Sequence, residues 1–168
     1  TDPGAYEGEI GEFIFQYLKG LDVPVIKKEV LPGRFNVMAR LEGEEQAPAL
    51  VYICHMDTVT TGEGWTVSPF GAEVIKGRIY GRGACDMKSG LACALSAFTS
   101  MALKARDGQK PKRTLVFIGT VDEEDFMRGA EAAIADGWVT KDCWVLDTEP
   151  TNGRIEVAHK GRTWFEIT

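Results

Sequence analysis

The chain has no excess of positive charge, no apolar run of membrane-spanning length and no CxxC pair. Its Lys and Arg number 19 against 25 Asp and Glu, for a net charge of −6. Without a basic stripe to displace counterions, no nucleic-acid backbone is expected as a partner. A membrane helix needs about 20 apolar residues in succession, and the N-terminus TDPGAYEGE lacks the basic and apolar character of a secretory signal. No membrane partner and a cytoplasmic location are therefore expected. The chain begins without methionine, as an excised or partial segment would. Cys54, Cys85, Cys93 and Cys143 lie in or beside apolar runs. A chain with this much core does not need disulfides, so all four are expected to be free, buried thiols in a reducing compartment. There is no internal repeat, low-complexity tract or long linker, which leaves one domain of ordinary composition.

Within that domain, apolar strands alternate with amphipathic helices. Residues 6–21 place Tyr6, Ile10, Phe13, Tyr17, Leu18 and Leu21 on one helical face, with Glu7, Glu9, Glu12 and Lys19 largely opposite. Strands are predicted over 23–30 and 36–41 around the turn-like LPGR, and over 49–54 after the polar GEEQAP. A short hairpin over 73–80 turns at Lys76-Gly77, and a second helix spans 89–104. Further strands are expected at 114–120, 143–146, 154–159 and 164–168, with a short helix over 128–136 stopped by Gly137. The run 49–54 lacks alternation, which suits a strand covered on both faces; 114–120 is another buried strand and 143–146 a third apolar one. The expected fold class is α/β, with a mainly parallel central sheet flanked by helices.

Three of these strands run straight into acidic residues. ALVYIC leads to His55 and Asp57, TLVFIGTV to Asp122, Glu123 and Glu124, and CWVL to Asp147 and Glu149. Residues two apart on an extended chain share a side, so His55 and Asp57 can act together, the carboxylate fixing the imidazole tautomer. Ligands of open α/β sheets bind outside the carboxyl ends of the strands. If the three are parallel neighbours, their carboxylates converge, and such crowding at neutral pH calls for cations. One histidine among several carboxylates suits zinc, cobalt or manganese better than calcium. A fourth cluster, GRGACDMKSG (81–90), projects Asp86 before a helix. Asp86 or Ser89 as a simple helix cap is the plainer reading. A phosphate-binding loop is disfavoured, because the lysine is not where Walker A needs it.

The succession HMDTV, GRGACDMKSG, DEE, TEPT and AHKG resembles the di-zinc metallopeptidase family that includes acetylornithine deacetylase, succinyl-diaminopimelate desuccinylase, aminoacylase and glutamate carboxypeptidases. The resemblance spans nearly the whole chain. It implies a zinc hydrolase cleaving the amide bond of an N-acyl amino acid or small peptide through a metal-bridged hydroxide. His55 and Glu149 would bind one metal, Asp86 would bridge, and Glu124 would bind the other. Glu123 would be the general base and Asp57 the orienter of His55, with Asp147 in reserve for Glu149. Two further histidines of the family pattern are missing, and His159 in AHKG resembles a strand residue and neither of them. Residues 1–160 would therefore be an incomplete catalytic subdomain, inactive alone. Residues 161–168 would open a strand towards an absent lid domain, through which the whole protein could dimerise. Relatives also carry glycine where DEEDFMRG has Phe126, which leaves the path of that loop open. A non-catalytic binding or scaffold module that retains the fold is the alternative from a different class.

Overall fold

Two helices cover one face of a five-stranded sheet and a third covers the other. The computed structural model describes residues 6–158, 160, 161 and 163. In chain order the elements are α1 (Gly8–Lys19), β1 (Val25–Leu31), β2 (Arg34–Leu41), β3 (Leu50–His55), β4 (Glu73–Ile75) and β5 (Arg78–Tyr80). An irregular helical segment, Ala84–Ser89, then runs into α2 (Gly90–Arg106), followed by β6 (Leu115–Thr120), α3 (Arg128–Ala135) and β7 (Trp144–Asp147). The sheet order is β1-β2-β6-β3-β7. β6 and β7 flank β3 in parallel, while β2 runs antiparallel to both β1 and β6. Only β2 opposes the common direction, so the sheet is mainly parallel in strand direction. The tight turn between β1 and β2 is what forces the antiparallel pair, because a parallel one needs a long crossover. β4 and β5 form the predicted separate hairpin, with Lys76 and Gly77 at φ 50° and 76°, as a two-residue hairpin turn requires.

β6 lies at the centre and explains its own lack of alternation. Leu115 and Phe117 face a core shared with Ile14 and Leu18 of α1 and Leu91, Leu95 and Phe98 of α2. Val116 and Ile118 face the other side, with Met38, Val51 and Ala133 of α3. A strand buried on both faces can be apolar at every position.

Three expectations fail in informative ways. In α1 the buried face carries Gly11, Ile14 and Leu18, while Phe13 and Tyr17 are exposed. Glu7, expected on the polar side, lies just before the helix and is buried against Arg34. Among the described residues β7 pairs only with β3, at the edge of the sheet, and every residue of it is exposed. The free cysteines divide: Cys54 is buried and Cys143 half-buried, but Cys85 and Cys93 are exposed. Residues 154–158 form no strand. His159 and the predicted strand 164–168 fall outside the described residues.

Candidate metal centre

The strand order brings three polar tips together. β3 ends in His55, β6 is followed by Asp122, Glu123 and Glu124, and β7 by Thr148 and Glu149. Because β6 and β7 both flank β3 in parallel, all three tips emerge at the same edge. The Ala84–Ser89 segment supplies the fourth group, Asp86, whose backbone (φ −111°, ψ 103°) breaks the helical path. Lys88 fastens this segment to the tip of β3 by donating its ammonium to the Met56 carbonyl at 2.8 Å. Burial holds the Lys88 pKa below its ordinary value, against the pull of Asp57 and Glu7.

His55 is the buried centre of the cluster. Its Nε2 lies 3.2 Å from Asp86 Oδ1, 3.2 Å from Glu149 Oε1 and 3.9 Å from Glu123 Oε2. One ligand atom each from His55, Asp86 and Glu149 fall within 4.8 Å of one another, close enough to share an ion. One imidazole nitrogen and two carboxylate oxygens make a donor set that fits a zinc, cobalt or manganese ion. Nδ1 donates to the Asp57 carbonyl at 3.1 Å, and a carbonyl can only accept. That bond puts a proton on Nδ1 and leaves Nε2 facing the carboxylates.

Asp57 meets both His55 and the loop after β6. Its carboxylate stands 3.6 Å from His55 Nδ1, so the carbonyl takes the shorter bond. The two carboxylate oxygens instead accept the backbone N–H groups of Glu123 (3.1 Å) and Glu124 (3.0 Å). Burial alone would raise its pKa, but His55 and these N–H groups hold it below the usual carboxylate value. Glu123 is pushed the other way, chiefly by burial, against the attraction of His55 and with repulsion from Glu149 and Glu124. Burial and the charge of Asp86 likewise raise Glu124, which lies outside the three-residue cluster. Asp147 lines an open cavity of about 830 Å³ together with Asp86, Glu123 and Glu149. Cys54, at 3.3 Å from the Thr148 hydroxyl, is kept inert by burial, which pushes its thiol up to about 12. Phe126 needs no glycine-like backbone; the left-handed residues of this loop are Asp122 and Met127.

Burial disfavours a charged His55, yet the Asp57 and Glu149 carboxylates outweigh it and raise the imidazole to about 11. Without metal, His55 therefore holds a proton at neutral pH that an ion must displace. Apparent metal affinity is expected to climb between pH 6 and 9, by about tenfold per pH unit for each proton released. The metal-free protein should show the opposite trend. A raised native pKa contributes stability below the unfolded value near 6.5, and that contribution fades as pH rises towards 11. Calorimetric titrations in buffers of different ionisation enthalpy check the first trend, and melting curves of the apo-protein check the second.

Gly90 fixes the spacing between the two halves of the cluster. A Cβ there would lie 2.0 Å from the Thr148 carbonyl, one residue before Glu149. Gly90→Ala is expected to push the start of α2 away from that loop, at a cost of about 1–3 kcal/mol, and to weaken metal binding. Denaturant unfolding and metal titration of the variant report the two effects.

Several residues of this region carry no sequence signal. Glu7, Arg34, Asn36 and Lys88 read as ordinary helix, turn, strand and loop residues, and only their tertiary contacts mark them.

The model of peptidase family M20/M25/M40 matches residues 51–160. The chain is 34% identical over 161 residues to a probable succinyl-diaminopimelate desuccinylase of Staphylococcus aureus, covering 92% of this chain and 39% of the relative. It is 39% identical over 159 residues to a succinyl-diaminopimelate desuccinylase of Methylobacterium radiotolerans, covering 88% of this chain and 39% of that one. The chain thus spans about two-fifths of the length of these relatives. Among solved structures it resembles the Bacillus subtilis YXEP protein, a dinuclear metal binding peptidase from the M20 family, with a TM-score of 0.59 and 19% identity. That match covers 84% of this chain and 36% of the other, and it speaks for the fold. No helix among the described residues is long and apolar enough to cross a membrane.

Proposed function

The chain belongs to peptidase family M20/M25/M40, and from that premise we propose that the whole protein hydrolyses an amide bond in an N-acyl amino acid or a small peptide. The observation that carries this reading is the meeting of His55, Asp86 and Glu149 at one strand edge with Glu123 beside them. In this reading His55, Asp86 and Glu149 would hold a divalent ion, and Glu124 with Asp86 would help to hold a second. Zinc is the ion proposed, with cobalt or manganese able to replace it on the same donors. Bound at this position, the ions supply Lewis-acid polarisation and make water a stronger acid.

The remaining work falls to the chain. Glu123 takes the proton of the attacking water at a carboxylate oxygen and returns it to the departing nitrogen. Asp57 holds His55 and the Glu123-Glu124 backbone in register. The cavity beside the cluster would receive the substrate. Residues 1–160 are proposed as a catalytic subdomain inactive alone, with a lid and a dimer contact supplied by the rest of the protein. The desuccinylase relatives make N-succinyl amino acids the first substrates to try.

The test is an assay of the full-length protein, loaded with zinc, cobalt or manganese, on N-succinyl and N-acetyl amino acids and dipeptides. Hydrolysis of at least one class, lost on chelation and restored by metal, is expected. Metal binding without turnover of any of them would instead favour a non-catalytic module.

A further inference from the structure

Four consecutive backbone N–H groups at the tip of β6 each donate to a side chain. Val121 donates to Asn36 Oδ1 at 3.1 Å and Asp122 to Glu7 Oε1 at 3.1 Å. Glu123 and Glu124 donate to the two oxygens of Asp57. The acceptors come from three separate places: the turn before α1, strand β2, and the segment after β3. Asn36 also donates to the Gly129 carbonyl at 2.7 Å, and the Gly129 N–H donates to the Val121 carbonyl at 3.1 Å. A Cβ at residue 129 would lie 2.3 Å from that carbonyl, so only glycine lets the loop close there. Arg34 joins the remaining ends, with Nε donating to Glu7 at 2.8 Å and Nη1 to Asp122 at 3.0 Å. Arg128 holds the same Asp122 carboxylate from the other side.

We propose that Glu7, acting with Arg34 and Asn36, is a positioning residue that aims Glu123 and Glu124 at the metal centre. The physical need for it is repulsion. Glu123 and Glu124 sit near Asp57, Asp86 and Glu149, and like charges at close range drive a free loop outward. Backbone N–H groups fixed on buried acceptors resist that drift without touching the reacting atoms. Glu7 and Asn36 are both almost wholly buried, so an N–H deprived of either acceptor has no water to turn to. This inference rests on the roles given to Glu123 and Glu124 above.

In the full-length protein, Glu7→Ala is expected to lower kcat about tenfold while KM stays within about threefold, since the loss is in aim and not in substrate contact. Glu7→Gln, which keeps an oxygen for the Asp122 N–H, should recover most of the rate. A wild-type kcat for Glu7→Ala, or an equal loss in both variants, would overturn the proposal. Hydrogen exchange gives a readout independent of turnover. Exchange over 121–124 should quicken in Glu7→Ala while β3 and β6 stay protected; a uniform rise across the sheet would mean a merely structural role and would also overturn it. If the wild-type protein cleaves nothing, the hydrolase reading falls, and the exchange pattern alone decides this inference.

Discussion

Glu123→Ala in the full-length protein is expected to lower kcat by about 10²–10⁴-fold, the range for loss of a general base, with metal content unchanged. The expectation comes from where the carboxylate sits. Glu123 Oε2 is 3.9 Å from His55 Nε2, beside the three-residue cluster and not within it. Its backbone is held by Asp57 and its side chain faces the same cavity as Asp86 and Glu149. In the metal-free protein burial raises its pKa, and the neighbouring carboxylates add to this against His55. Glu123→Gln keeps the size and removes only the basic oxygen, so it should be nearly as impaired. Steady-state kinetics and elemental analysis of one preparation check the expectation. Loss of an equivalent of metal together with activity would reassign Glu123 as a ligand.

The second large effect is expected at Asp57. Its carboxylate accepts two N–H groups of the Glu123-Glu124 backbone while its carbonyl accepts from His55. One residue therefore ties a proposed ligand of one ion to the loop that carries the base and a proposed ligand of the other. Asp57→Ala should reduce kcat/KM by about 10²-fold or more, since a shift near 1 Å in such a site can cost that much. Metal affinity should fall by about 10–100-fold through the proposed ligand Glu124, whose backbone loses its carboxylate anchor, while the carbonyl bond to His55 survives. Two partly buried N–H groups would also lose their acceptor, at about 1–3 kcal/mol each. Asp57→Asn should fall between, because its amide offers one oxygen where two are needed. Cobalt titration and apo-protein unfolding measure the two losses separately. Wild-type affinity in Asp57→Ala would break the link between this residue and the centre.

How far the sequence could be read depended on what kind of signal each residue carries. Helix and strand positions were legible because burial imposes a period, or in β6 removes one. The acidic tips were legible because carboxylates directly after apolar strands are costly to place without a reason. The face of α1 was misread because periodicity counts apolar residues and cannot foresee a buried ion pair. Glu7 satisfies the Asp122 N–H and the Arg34 guanidinium, and its side of the helix is buried while Phe13 and Tyr17 are exposed.

The sequence by itself determined most of the element positions and the α/β class, and it offered His55 and the acidic strand tips as candidates for holding a cation. Those properties follow from local composition and from the rule that a buried strand must end in something polar or turn. Only the tertiary structure decided which groups meet. It set His55 against Asp86 and Glu149, gave the Asp57 carbonyl to the imidazole and its carboxylate to the next loop, and recruited Glu7, Arg34 and Asn36 from far along the chain. Contacts between residues distant in sequence depend on strand order, and strand order is fixed by the packing of the whole core, which no single segment encodes.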